Sequence, residues 1–274
     1  LLKYNNMPKA AQFMPTEETL KNDSGVNLEV CQCSGCGMVQ LSNTPVPYYK
    51  EVVRASAYSE EMKTFRMKQF KEFILEDRQK QTNFIVDSVY NNYAKSYTRD
   101  QLECVGWLDG SANSLIRNNK LYEIGIQEND SVLDVGCGVA HFYNFLLDQG
   151  WSGEYLGVDP NKAAIDMVEE SINTMCGTID DVGDTQYDWV IASGIFNLGL
   201  KEDHAYWILK NMIQHANKGI SFNMLNRPYS AVYYEDYDPI DVKDTLKQYN
   251  NSKITICERY LEDNTEFTIH FYKD

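Results

Sequence analysis

The chain has 274 residues, 43 % of them hydrophobic, and carries a formal net charge of −15. That size and apolar share suffice for a full α/β core plus a small appendage, and no stretch approaches the roughly 20 apolar residues of a membrane-spanning helix. The charge is uneven, with residues 1–75 at net +1 and the remainder at −16; so acidic a body repels phosphate backbones and argues against nucleic acid as a partner.

Residues 1–50 lack sustained periodicity and hold Pro8, Pro15, Pro45 and Pro47, and residues 1–58 are read as an incomplete zinc-ribbon-like segment. Cys33 and Cys36, in Cys31-Gln-Cys-Ser-Gly-Cys-Gly37, have the spacing of a zinc knuckle, in which two thiolates grip one tetrahedral metal. They are read either as half of a four-cysteine site or as free thiols. Seven cysteines without a regular framework suit a reducing compartment, and with no charged-then-apolar leader a cytoplasmic location is expected. The chain opens on Leu1 rather than Met and is expected to be a piece of a longer or processed polypeptide. Residues 59–110 form a helical linker, with Ser59 as N-cap and Met62, Phe65, Phe70, Phe73 and Ile74 as its buried stripe. Tyr90, Tyr93, Tyr97 and Trp107 follow, as core or as ligand contacts. Ser111 caps a further helix ending near Gly125 and opens a domain spanning 111–274.

The most informative segment is Ser131 to Ala140. Val132, Leu133 and Val135 make a short apolar run of the kind found in buried parallel strands. Gly136 and Gly138 allow a tight turn and close approach of a ligand, and Phe142, Phe145 and Leu146 have the spacing of a helix packed on a sheet. A strand, a glycine turn and a helix begin a nucleotide-binding α/β unit. A dinucleotide fingerprint needs a third glycine at position 141, which is His141 here. Asp134 sits badly beside a pyrophosphate and well beside a cation. Asp159 ends the next strand 21 residues after Gly138, where a carboxylate accepts from both ribose hydroxyls. Adenosine is therefore expected, and S-adenosylmethionine, cationic and without phosphate, is favoured over NAD.

From about residue 80 onward the chain resembles the class I S-adenosylmethionine-dependent methyltransferases. The motifs are Val132 to Gly138, Asp159, and a fourth-strand stretch from Tyr187 through Ser193 to Asn197, with Gly219 to Leu225 as a fifth strand. The resemblance implies a seven-stranded mixed sheet flanked by helices, with Phe267 to Tyr272 as its antiparallel final strand and the tyrosine cluster in a lid. The N-terminal 75 residues are similar to the zinc-binding domain of sugar C-methyltransferases, through Asn6 to Gln12, Val30 to Leu41 and Pro45 to Phe73. In that family a further Cys-x-x-Cys precedes the equivalent of Leu1, and a Glu-His pair stands where this chain has Gly194-Ile-Phe-Asn197.

These readings place Asp134, Gly136, Gly138 and Asp159 at S-adenosylmethionine, and Ile179 and Asp180 at the adenine end. Acceptors belong over the carboxyl ends of strands four and five. Ser193 and Asn197 there could orient a hydroxyl, and His204 is the general-base candidate, titrating near neutral pH. Each has a bland alternative: a structural Asn, or a solvated His in a helix that Asp203 caps. His141 would shape the cofactor pocket, Cys137 would fill space, and Arg227 to Tyr234 could grip a sugar ring or an anion, or cover the core. The expected activity is methylation of a small polar acceptor, such as a sugar or nucleotide-linked sugar. A non-catalytic adenosine-binding scaffold and an NAD-dependent oxidoreductase are the alternatives.

Overall fold

The computed structural model describes residues 2–7, 17–18, 21, 24–42, 60–106, 111–197, 202–226, 236–249, 253–262 and 265–273. Ser59, Trp107, residues 227–235 and the stretch 43–58 lie outside them. The chain divides into two compact units, residues 1–72 and 73–274. The first holds a three-stranded antiparallel sheet of β1 (Leu2–Met7), β2 (Val26–Gln32) and β3 (Val39–Leu41), with β2 central. Cys33 to Met38 form the turn between β2 and β3, closed by the Cys33 N–H on the Met38 carbonyl at 2.8 Å and the Gly37 N–H on the Cys33 carbonyl at 2.9 Å.

A 26-residue helix, α1 (Glu60–Ile85), runs through the division between the units. The expected buried stripe is absent: Phe65, Phe70 and Phe73 are 55 %, 60 % and 70 % exposed, and Ile74 is also exposed. Helical spacing groups apolar residues on a face, but burial needs a partner surface, and among the described residues none covers these rings. The helical segment also changes pitch. A π turn at Val86–Tyr90 separates α1 from α2 (Asn91–Ser96), and a 3-10 turn, Leu102–Val105, follows. Residues 73–106 fall in the same compact unit as the large sheet.

Unit two is built on seven strands. In chain order its elements are α3 (Ser111–Tyr122), β4 (Val132–Val135), α4 (His141–Asp148), β5 (Tyr155–Asp159), α5 (Lys162–Ile165), β6 (Thr174–Cys176) and β7 (Tyr187–Ala192). Then come α6 (Glu202–His215), β8 (Ala216–Leu225), α7 (Pro239–Leu246), β9 (Ile254–Glu258) and β10 (Glu266–Tyr272). The sheet order is β6-β5-β4-β7-β8-β10-β9, parallel from β6 to β8, with β10 antiparallel to both neighbours. This is the doubly wound arrangement in which ligands settle outside the carboxyl ends of the strands, where strand order reverses, here between β4 and β7.

All four residues of β4 are buried, as expected for a central parallel strand. Strands β8 and β10 alternate instead. One face carries Ile220, Phe222, Met224, Phe267, Ile269 and Phe271 into the main core, and the other carries Ser221, Asn223, Thr268 and His270, also buried. Buried polar groups need partners, and Ser221 Oγ lies 3.1 Å from His270 Nδ1 while Thr268 donates to Tyr260 at 3.0 Å. Among the described residues no helix is long and apolar enough to cross a membrane.

Candidate active site

At the carboxyl ends of β4, β5, β7 and β8 the second unit encloses a cavity of about 590 Å³. Its floor is the glycine turn. Gly136 and Gly138 have φ of +76° and +54°, a region unfavourable for side chains. A Cβ on Gly136 would lie 2.1 Å from Ile195 Cγ2, and one on Gly138 would lie 2.6 Å from Val105 Cγ1. Both positions therefore need glycine on conformation and on space. Helix α4 starts at His141, because Ala140 before it adopts left-handed backbone. His141 Nε2 lies 3.0 Å from the Arg99 carbonyl, tying that helix start to the segment after α2. Burial lowers the His141 pKa, keeping the ring neutral.

Two carboxyls stand over the turn, each held. Asp134 is buried and accepts from the Tyr155 hydroxyl at 2.8 Å. Burial is the main cause that raises its pKa to about 7, offset by the Tyr155 bond and reinforced by the Asp159 charge. Asp159 accepts the Gly138 N–H on one oxygen at 2.9 Å and the Asn161 N–H on the other at 2.7 Å, so both ends of the carboxyl are fixed. Burial raises it to about 6 against these two bonds. Cys137 fills space against Gly157, and burial pushes its thiol up, as expected for an inert filler.

Ile179 and Asp180, in a 3-10 turn after β6, line the same cavity. Thr178 and Asp181 brace that turn reciprocally, with Asp181 accepting the Thr178 N–H at 2.8 Å. At the end of β7, Asn223 of β8 accepts the Gly194 N–H at 2.7 Å and donates to Ser193 Oγ at 3.2 Å. One amide thus fixes the turn that carries Ser193 and brings Ile195 onto Gly136. Asn197 is 8 % exposed, lines the cavity, and its Oδ1 has no hydrogen-bond partner among the described residues.

His204 also lines the cavity, although it is buried rather than solvated. Its Nδ1 lies 3.2 Å from Gln81 Oε1, and its ring lies beside Trp207. Asp203 falls in the first turn of α6 rather than at its cap, since the helix begins at Glu202. Of the tyrosines, Tyr90 and Tyr93 face the cavity, whereas Tyr97 packs around buried Cys104.

All nine expected cofactor and acceptor residues therefore border one space: Asp134, Gly136, Gly138, Asp159, Ile179, Asp180, Ser193, Asn197 and His204. Sequence reasoning missed Tyr155, Asn223 and the ion pair Arg117–Glu266, which closes the far wall with contacts of 2.8–3.0 Å. It also missed Arg78, stacked 4.3 Å from the Trp207 ring centre. A signal for α3 was present: Ser114, Arg117 and Asn118 follow the i, i+3, i+4 pattern of one helix face.

Cys33 and Cys36 lie in the other unit. The Cys33 thiol pKa is lowered, chiefly by the backbone N–H groups of Cys36 and Gly35. Among the described residues no group of three or more His, Cys, Asp or Glu side chains is arranged to hold a metal ion. Two thiolates alone do not complete a tetrahedral zinc site.

Residues 132–219 match the family model described as a methyltransferase domain. A Mycobacterium tuberculosis protein named as a methyltransferase, Rv1506c, is 29 % identical over 157 residues, covering 51 % of this chain and 90 % of that one. Among solved structures, the magnesium protoporphyrin IX methyltransferase of Synechocystis with bound S-adenosylmethionine superposes with a TM-score of 0.52 at 12 % identity, over 72 % of this chain and 97 % of that one. The complex of the Haloferax volcanii Trm112 methyltransferase activator with its methyltransferase matches with a TM-score of 0.53 at 12 % identity, over 68 % of this chain and 96 % of the matched chain. With the glycine turn, the two carboxyls and this sheet order, the chain is an S-adenosylmethionine-dependent methyltransferase of the class I fold.

Proposed function

We propose that the enzyme methylates a small polar acceptor, a sugar or nucleotide-linked sugar, with the acceptor seated beside Ser193, Asn197 and His204. The observation that carries this reading is the cavity itself, whose carboxyl-bearing glycine turn adjoins a wall of hydroxyl, amide and imidazole groups. When bound, S-adenosylmethionine supplies an electrophilic methyl group on a sulfonium, open to in-line displacement.

The residues present fit that group. The missing Cβ atoms at Gly136 and Gly138 leave a cradle, and Asp159, clamped by two backbone N–H groups, offers its remaining lone pairs to ribose hydroxyls. Asp134 sets negative charge under the cationic end, and Ile179 and Asp180 close the adenine end. Ser193, held by Asn223, and Asn197 orient the acceptor. His204 takes the proton released as the acceptor oxygen becomes the nucleophile, with Gln81 fixing its ring. Tyr90, Tyr93 and Val105 line the same space from the segment before α3 and limit access by water.

The sugar class draws on the likeness of the N-terminal segment to sugar C-methyltransferases. In that likeness the Cys33–Cys36 knuckle would give half of a zinc site, and no step of the reaction is routed through a metal. Calorimetry with S-adenosylhomocysteine tests the cofactor reading, and absence of binding at millimolar concentration would end it. Transfer of labelled methyl to a panel of nucleotide sugars tests the acceptor class, and turnover confined to other acceptors would refute it.

A further inference from the structure

We propose that Arg78, stacked on Trp207, is an anion-binding residue on the acceptor side of the cavity, so that the acceptor carries a phosphate or carboxylate group. The inference rests on the proposed acceptor site and adds the charge of what enters it.

Two helices build this part of the wall. In the stretch of α1 that belongs to the second unit, Arg78, Thr82 and Ile85 follow the i, i+4, i+7 spacing of one helix face and line the cavity. Helix α6 lines it with His204, Trp207 and Ile208, at i, i+3 and i+4. Two contacts join the helices. The Arg78 guanidinium carbon lies 4.3 Å from the centre of the Trp207 ring, and Gln81 Oε1 meets His204 Nδ1 at 3.2 Å. The Trp207 and His204 ring centres are 6.2 Å apart. A group held by Arg78 therefore sits beside the proposed base.

The guanidinium is positioned but not neutralised. Stacking on a ring uses a face of the guanidinium and leaves its N–H edge for a ligand. Among the described residues no hydrogen bond or ion pair engages Arg78, and its Nε is buried without a partner. Burial is the largest influence on its pKa, which is lowered, while the more distant charges of Asp203 and Asp180 oppose that shift. A cation drawn from water with unmatched donors is costly, and an anion that accepts from the N–H edge relieves the cost. Arg117, the other guanidinium of the lining, is bound to Glu266 instead. The carboxyls of the lining are largely engaged elsewhere: Asp134 and Asp159 stand over the glycine turn at the cofactor end, and Asp181 is bonded to Thr178.

Ligand-observed NMR on the full chain saturated with S-adenosylhomocysteine tests this, using inorganic phosphate, glucose 1-phosphate, methyl glucuronide and methyl glucoside as probes. Glucose 1-phosphate or the glucuronide should bind about tenfold more tightly than the neutral glycoside, as expected for one charge-assisted contact. Which of the two does so identifies the anion as phosphate or carboxylate. Arg78→Gln should remove that advantage and leave the affinities for methyl glucoside and S-adenosylhomocysteine unchanged. Should that variant fail to fold, Arg78→Met keeps an apolar stem over Trp207, and the same loss is expected of it. Equal or tighter binding of methyl glucoside by the wild type, or a variant that weakens neutral and anionic probes alike, would overturn the inference. So would loss of S-adenosylhomocysteine with 5′-methylthioadenosine still bound, which would assign Arg78 to the carboxylate of the cofactor. Arg78-dependent binding of inorganic phosphate that no sugar improves would uphold the anion site and refute the sugar class. Binding of none of the four by protein that holds S-adenosylhomocysteine would overturn the inference, and failure to bind S-adenosylhomocysteine would refute the underlying cofactor reading instead.

Discussion

Asp134→Asn separates what the second unit needs to stay folded from what it needs to work. Asp134 is 3 % exposed, and its carboxyl is raised from 3.8 to about 7, mainly by burial. A folded pKa above the unfolded one means that the folded state holds its proton more tightly. The penalty is absent below pH 3.8, accumulates as pH rises through the interval, and is complete above about 7. A difference of about 3 units at 1.36 kcal/mol each gives a penalty of roughly 4 kcal/mol at pH 8. Asparagine is uncharged at every pH and keeps an oxygen able to accept from Tyr155. Without ligand, the variant should therefore match the wild type at pH 4 and exceed it by about 2–4 kcal/mol at pH 8, read from urea denaturation midpoints. Asp159, raised to about 6 in the same way, leaves the variant a smaller decline between pH 4 and 6. Because S-adenosylmethionine carries a positive sulfur that S-adenosylhomocysteine lacks, the variant should also lose more affinity for the former. Parallel stability curves for the two proteins would refute the account of a desolvated carboxyl.

Three further outcomes are expected. Asp159→Ala should weaken S-adenosylhomocysteine binding by about 2–4 kcal/mol in calorimetry, since two charge-assisted ribose bonds are lost; unchanged affinity would show the ribose contact to be misassigned. Gly136→Ala, which drives a methyl into Ile195 at a φ of +76°, should reduce binding at least about tenfold. Ile195→Ala should recover part of that loss in a double-mutant cycle, and strict additivity would count against the clash. His204→Gln should lower kcat by about 10²- to 10⁴-fold while S-adenosylhomocysteine affinity holds, and a change in KM alone would assign His204 to binding.

The glycine turn and the two carboxyls beside it were legible in the sequence because their parts are local. Val132 to Gly138 and Asp159 fall within one β-turn-α-β unit, whose short-range geometry fixes how they meet. The far wall was not, because Arg117 and Glu266 meet across 149 positions of chain, a juxtaposition that the antiparallel insertion of β10 creates. Strand alternation hid Asn223 as well, since Ser221 and Asn223 look solvent-facing until a second covered face of the sheet is known. The phenylalanines of α1 erred in the other direction: their spacing suggested a core, and periodicity reports which residues share a side, not whether anything lies against it.

The position of β10 has a consequence for biogenesis. Residues 266–272 wedge between two strands made earlier, so β8 keeps an open hydrogen-bonding edge until every other sheet strand has been synthesised. An open edge of that kind invites pairing with other chains. The nascent sheet thus keeps an aggregation-prone edge until residues 266–272 have emerged, and Glu266, the partner of Arg117, arrives in the same event that closes the sheet.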